Sequence, residues 1–327
     1  MVDAEDVDLN VSREVLQQSK TLNVIKTKIV RKTIGMIQEL SQNETLWEPF
    51  WKNYHKVLKY GVLEDTVNKE RLSKLLRFHS SASATNQTTL QGYVDRFVAG
   101  QDEIYYLAGE SLEHVRSSPL LEKLESRNLE VLFLVDPIDE YVFQQMAKFD
   151  GKHKLTNVAR EGLKLPGEKK EDDSSEDEAK DAKDSEEWAP LLDWLKDQLK
   201  DRVRKVIISK RLTKSPSALV AGSYGMTANM ERIVKSQALG DSDASGMNYQ
   251  PKPVLEINIE HPILSKLRSI DLDSELAKDT AAILFESSAV ASGYAISDPQ
   301  AFVQRMNRVV LSSLEGQAPK KDSKDEL

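Results

Sequence analysis

The chain has no cysteine, which excludes disulfides, thiolate metal sites and a cysteine nucleophile. No apolar run approaches the roughly 20 residues that cross a bilayer, so membrane insertion is not expected. Glycine is sparse where nucleotide chemistry would need it. No G-x-G-x-x-G or Walker pattern occurs, and Gly109 in the turn Ala108-Gly109-Glu110-Ser111 stands alone. Basic residues are outnumbered, 45 Lys and Arg against 53 Asp and Glu, for a formal charge of −8. That balance weighs against nucleic-acid binding, which needs a basic surface. His55 and His79 lack second ligands at metal spacing. The opening MVDAEDVDLN is too acidic for a signal peptide.

What is present describes a helix-rich α/β (α+β) protein. With 30% charged and 39% hydrophobic residues, the 327-residue chain has the composition of a folded protein with room for two or three domains. Ser12 is a good helix N-cap, and Arg13 follows in the first turn. An Arg beside free N–H groups at a helix N-terminus suits a phosphate or carboxylate, and Gln17, four residues on, shares its face. A surface Arg on an ordinary helix has the same local pattern. Apolar spacing through Leu16, Leu22, Ile25, Ile29, Met36, Ile37 and Leu40 predicts that this helix runs to about Leu40. Trp47, Phe50, Trp51 and Tyr54 then read as packing between helices.

Ile104–Leu107 and Val131–Val135 are short apolar runs flanking an amphipathic stretch, the pattern of a βαβ unit with parallel strands. Residues 167–187 carry eleven acidic side chains against four lysines, too little apolar surface to offset ordering, so a flexible acidic linker is expected. Leu191, Leu192, Leu195 and Leu199 next mark one helical face, and Val206–Ser209 and Val254–Ile259 look like strands. Between them, Tyr224, Met226 and Met230 are adaptable contact residues. The spacing of the two methionines fits one helical face, and burial in a core is the competing explanation. Helices at 274–288 and 298–314 carry more apolar residues than one packed face needs, among them Leu284, Phe285, Phe302, Met306, Val309 and Val310. Two such helices meeting a second copy predict a bundle across a two-fold axis, with an intrachain core as the alternative.

The stretch LNVSREVLQQSK resembles the catalytic loop and helix in the middle domain of the ninety-kilodalton heat-shock chaperones. Similar stretches follow in order: KLLRFHSS, IYYLAGESLEHV, SSPLLEKL, EVLFLVDPIDEY and ANMERIVKSQA. The resemblance implies that residues 1–166 are the later part of a middle domain. It implies an acidic linker at 167–187, a dimerisation domain at 188–315 and a polar tail at 316–327. It implies that Arg13 reaches the γ-phosphate of ATP, with Gln17 in support, the ATP and its Mg²⁺ being held by an N-terminal domain outside this chain. On that reading the chain alone is inactive as an ATPase; a non-enzymatic dimeric client-binding module is the alternative. The resemblance further implies a homodimer that holds unfolded or partly folded clients through Tyr224, Met226 and Met230. The family usually carries Trp where Met226 stands.

The chain ends Lys324-Asp325-Glu326-Leu327, the tetrapeptide read by the endoplasmic-reticulum retrieval receptor. That ending narrows the expectation to the lumenal branch of the family. Sequons at Asn10, Asn43 and Asn86 are permissive for glycosylation there.

Overall fold

A computed structural model describes residues 20–167, 176–237 and 252–315. Arg13, Gln17, Asn10 and the terminal Lys324–Leu327 lie outside the described residues. Helix α1 (Lys20–Leu40) occupies the stretch that the apolar spacing predicts. Helix α2 (Glu44–Glu64) begins where the Asn43 side chain accepts from the Leu46 N–H at 3.3 Å, a helix cap. Trp47, Trp51, Leu58 and Val62 recur at helical spacing and form its buried stripe. The two indoles stack 5.9 Å apart. Tyr54 leaves that stripe and stands exposed, so only part of the aromatic run is packed. A short α3 (Lys69–Ser73) lays Leu72 close to Gly61, where a Cβ would come within 3.1 Å of it. These helices make up the first of two units, residues 1–77 and 78–327.

The second unit is built on a six-stranded sheet. Its elements are β1 (Arg77–Ser80), β2 (Thr88–Thr89), α4 (Leu90–Val94), β3 (Ile104–Ala108), α5 (Leu112–Arg116), α6 (Glu122–Ser126), β4 (Leu132–Leu134), α7 (Asp139–Met146), β5 (Lys148–Phe149) and β6 (His153–Asn157). The order is β2-β1-β4-β3-β6-β5. Strands β3 and β4 pair in parallel, Tyr106 opposite Leu132, with α5 and α6 in the crossover. This is the βαβ unit that the apolar runs predict. Strand β6 adds in parallel on the other side of β3, while β1 pairs antiparallel with β4 and β5 antiparallel with β6.

After α8 (Glu176–Gln198) come β7 (Lys205–Ile208), β8 (Ser217–Val220), α9 (Ala228–Gln237), β9 (Val254–Ile257), α10 (Pro262–Ser269), α11 (Glu275–Ala291) and α12 (Pro299–Glu315). A three-stranded sheet in the order β7-β9-β8 joins the two ends of this region. Strands β8 and β9 are buried on both faces, and period-two alternation divides them between two cores. Ala218, Val220 and Val254 pack with Tyr105, Leu107 and Phe133 of the larger sheet and with Leu124 of α6. Leu219, Leu255 and Ile257 pack with Trp188, Leu191, Leu195, Leu264 and Leu284. The region after the acidic run therefore shares a core with the region before it. Residues 176–187, expected within the flexible linker, are the first turns of α8. Ala, Glu and Lys are good helix formers, and a helix docked by Trp188, Leu191 and Leu195 propagates outward at little cost.

Candidate functional site

Where β8 ends, its backbone pairs in parallel with the segment just after β6, Ala221 opposite Arg160. Ala221 donates to the Ala159 carbonyl at 2.8 Å, and Glu161 donates back to the Ala221 carbonyl at 2.9 Å. The chain then closes a tight turn, Gly225 N–H to Gly222 carbonyl at 2.9 Å. A Cβ on Gly225 would lie 3.1 Å from the Gly222 nitrogen, so glycine permits the close approach.

Two glutamates of the preceding region fix the ends of this loop. Glu161 accepts from the Ser223 N–H at 2.8 Å and the Ser223 hydroxyl at 2.7 Å, and it pairs with Arg204 and Lys205. Burial pushes its carboxyl up, but Lys205, Ser223 and Arg204 outweigh that and hold it at about 2. At the far end, Glu140 is fully buried and accepts from Thr227 at 2.6 Å, Asn229 at 2.9 Å and Asn157 at 3.1 Å. Burial dominates here and lifts Glu140 above its usual range, although these donors and Arg160 partly oppose it. Arg160 adds bonds to the carbonyls of Gly222 at 3.3 Å and Ser223 at 3.1 Å.

Between those anchors the loop projects into water. Tyr224 is 97% exposed and Met226 is 42% exposed. Met230 is 8% exposed and belongs to the core. The expected shared face of Met226 and Met230 does not form, because α9 starts only at Ala228, where the Thr227 hydroxyl accepts from Met230 N–H. The structure thus brings Tyr224 and Met226 together at the surface and spends Met230 inside.

A second seam lies beyond the loop. The Glu122 carboxylate accepts backbone N–H bonds from Thr213, Lys214 and Ser215 at 2.6 to 3.1 Å, plus the Ser215 hydroxyl. Burial raises its pKa, yet these donors bring it below the ordinary value. Arg211 and Glu256, both buried, pair at 3.0 Å, and Arg211 also donates to the carbonyls of Val158 and Arg160. Sequence reading missed this layer. One signal was available: Glu256 is the single charge in the apolar strand Val254–Ile257, and a charge buried in a strand needs a partner.

The two C-terminal helices, expected to pair with a second copy, divide in the same way. Leu284 is 4% exposed and packs within the protomer's own core, so it cannot also face a second copy. Phe285 is half-buried against that core, under the Arg202 guanidinium. On α12, Phe302 and Val309 are half-buried, whereas Val303, Met306, Val310 and Leu314 make an exposed stripe at helical spacing. The inner side of α12 is fastened to α11 by Arg305 with Glu286 and by Arg308 with Asp279 at 2.6 Å.

Among the described residues, no group of three or more His, Cys, Asp or Glu is arranged to hold a metal ion. None of their helices is long and apolar enough to cross a membrane. The described residues define a mixed α/β protein. The family model described as Hsp90 protein matches residues 1–327, and the chain belongs to the Hsp90 family. Endoplasmin homologs from Dictyostelium discoideum and Caenorhabditis elegans are 43% and 44% identical to it, over 95% and 96% of its length. The alignments cover 40% and 41% of those relatives, so the chain spans about two fifths of the length of the curated relatives it matches.

Proposed function

We propose that this chain is the client-holding and pairing portion of an ATP-dependent Hsp90-type molecular chaperone of the endoplasmic-reticulum lumen. The observation that carries the client reading is Tyr224, an aromatic side chain left almost wholly in water by a loop fixed at both ends. Exposed apolar groups on a rigid support are suited to apolar segments of unfolded or partly folded proteins. The outward stripe of α12 supports pairing with a second copy. The endoplasmin-type relatives and the tail Lys324–Leu327 support the lumenal address, read by the retrieval receptor.

In this reading Arg13 places a fixed cation against the γ-phosphate of ATP held with Mg²⁺ by another domain, and Gln17 steadies it. The cation stabilises charge that develops in phosphoryl transfer. The test joins this chain to the upstream portion of a full-length relative and measures turnover. Arg13→Ala should lower kcat by about 10²-fold or more, while pairing and client capture persist. Wild-type turnover in that variant would remove Arg13 from the reaction.

A further inference from the structure

We propose that Asn86 is an N-glycan acceptor and that its glycan stands beside the open edge of the six-stranded sheet. The proposal rests on the lumenal reading for its compartment, but its geometry is independent of client binding and of ATP. Two sequons fall among the described residues, Asn43-Glu44-Thr45 and Asn86-Gln87-Thr88, and the fold treats them differently. In the first, Asn43 is a helix cap whose side-chain oxygen is engaged by Leu46 N–H, and Thr45 sits in the first turn of α2. A glycan acceptor is read as a surface-loop residue, which a helix cap fits less well than an exposed connection between strands.

The second sequon lies in such a loop. Residues 81–87 connect β1 to β2, and Ala84, Thr85, Asn86 and Gln87 are exposed. Arg116 holds the base of the loop through the carbonyls of Ser80, Ser83 and Ala84. The Asn86 N–H donates to the Ser83 hydroxyl at 3.0 Å, and the Asn86 side-chain oxygen accepts from Thr85 at 3.3 Å. Neither contact uses the Asn86 side-chain nitrogen, and the residue is exposed. The Thr88 hydroxyl is held by Arg96 at 2.9 Å, two residues from the acceptor. In the transfer, that nitrogen bonds to C1 of a lipid-pyrophosphate-linked oligosaccharide. The C1–O bond to pyrophosphate breaks, the pyrophosphate leaves with the electron pair, and the nitrogen loses one proton. Strand β2 is the two-residue edge of its sheet. A glycan next to it keeps another chain from adding a strand there, a further means of blunting an edge.

The test expresses the full chain behind a cleavable secretory leader in eukaryotic cells and reads glycosidase-sensitive mobility. With Asn10→Gln as the background, one glycan step should be present, lost in Asn86→Gln and Thr88→Ala, and kept in Thr88→Ser and Asn43→Gln. Melting of purified Asn86→Gln should match that of deglycosylated wild type, because the site is exposed. A chain protected from external protease yet lacking the step overturns the proposal, as does a step removed only by Asn43→Gln. The compartment reading is judged separately by deleting the last four residues. Retention that ignores the deletion counts against that reading and leaves the Asn86 result standing.

Discussion

The loop at 222–226 and the helix α12 both leave large apolar side chains in water, but they support them in opposite ways. The loop presents two side chains and is tied down from beneath by Glu161 and Glu140. Helix α12 presents a continuous stripe and is tied only along its inner side, by charged pairs to α11. A few preorganised contacts suit occupants that differ from one another, because little ordering is lost whichever one binds. A long stripe at helical spacing suits one fixed occupant that completes it, as a second copy does. The contrast assigns different energetics to the two surfaces: buried charge under the first, unspent apolar area on the second.

The strongest way to break the contrast is to cut the buried seam beside the loop. Arg211→Ala leaves Glu256 buried with only the Ser209 hydroxyl and no countercharge, and should cost about 3–5 kcal/mol, read as a lower urea midpoint. Arg211→Met with Glu256→Leu should recover most of that loss. A cost below about 1 kcal/mol would mean that the seam behaves like a surface ion pair. Next in size, Val310→Asp places a charge in the α12 stripe without touching a core. It should weaken pairing by at least about thirtyfold, close to 2 kcal/mol, in sedimentation equilibrium, with little change in melting. Unchanged pairing would assign that stripe to some other occupant.

A finer prediction separates the loop's anchor from its display. Glu161 sits at about 2 in the folded protein against an ordinary 4.5, a depressed carboxyl. Its stabilisation is present above 4.5 and is lost as pH falls from there toward 2. Glu161→Gln should therefore flatten the acid limb of the stability profile across that window. An unchanged limb would show that Ser223, Arg204 and Lys205 do not depend on its charge.

Much of this architecture was legible in the residues, and the failures have physical causes. Strands β3 and β4 were visible because Ile104–Leu107 and Val131–Val135 are continuous apolar runs. Strands β1 and β6 were not, since Arg77–Ser80 and His153–Asn157 mix polar and apolar residues and depend on pairing for their shape. Met226 and Met230 lie four apart, but periodicity cannot say where a helix starts, and the Thr227 cap decides that. Leu284 and Met306 look alike as apolar positions on C-terminal helices, and only the packing of α11 on β8 tells them apart. The glutamate anchors were hidden because each finds its partners far along the chain, 62 residues for Glu161 with Ser223 and 87 for Glu140 with Thr227.

The most direct test of the displayed loop as a client surface is binding of a labelled, permanently unfolded polypeptide, followed by fluorescence anisotropy. Tyr224→Ser with Met226→Ser should weaken that binding by about tenfold, near 1.4 kcal/mol, with melting and pairing unchanged. Equal affinity in the double variant would contradict the account.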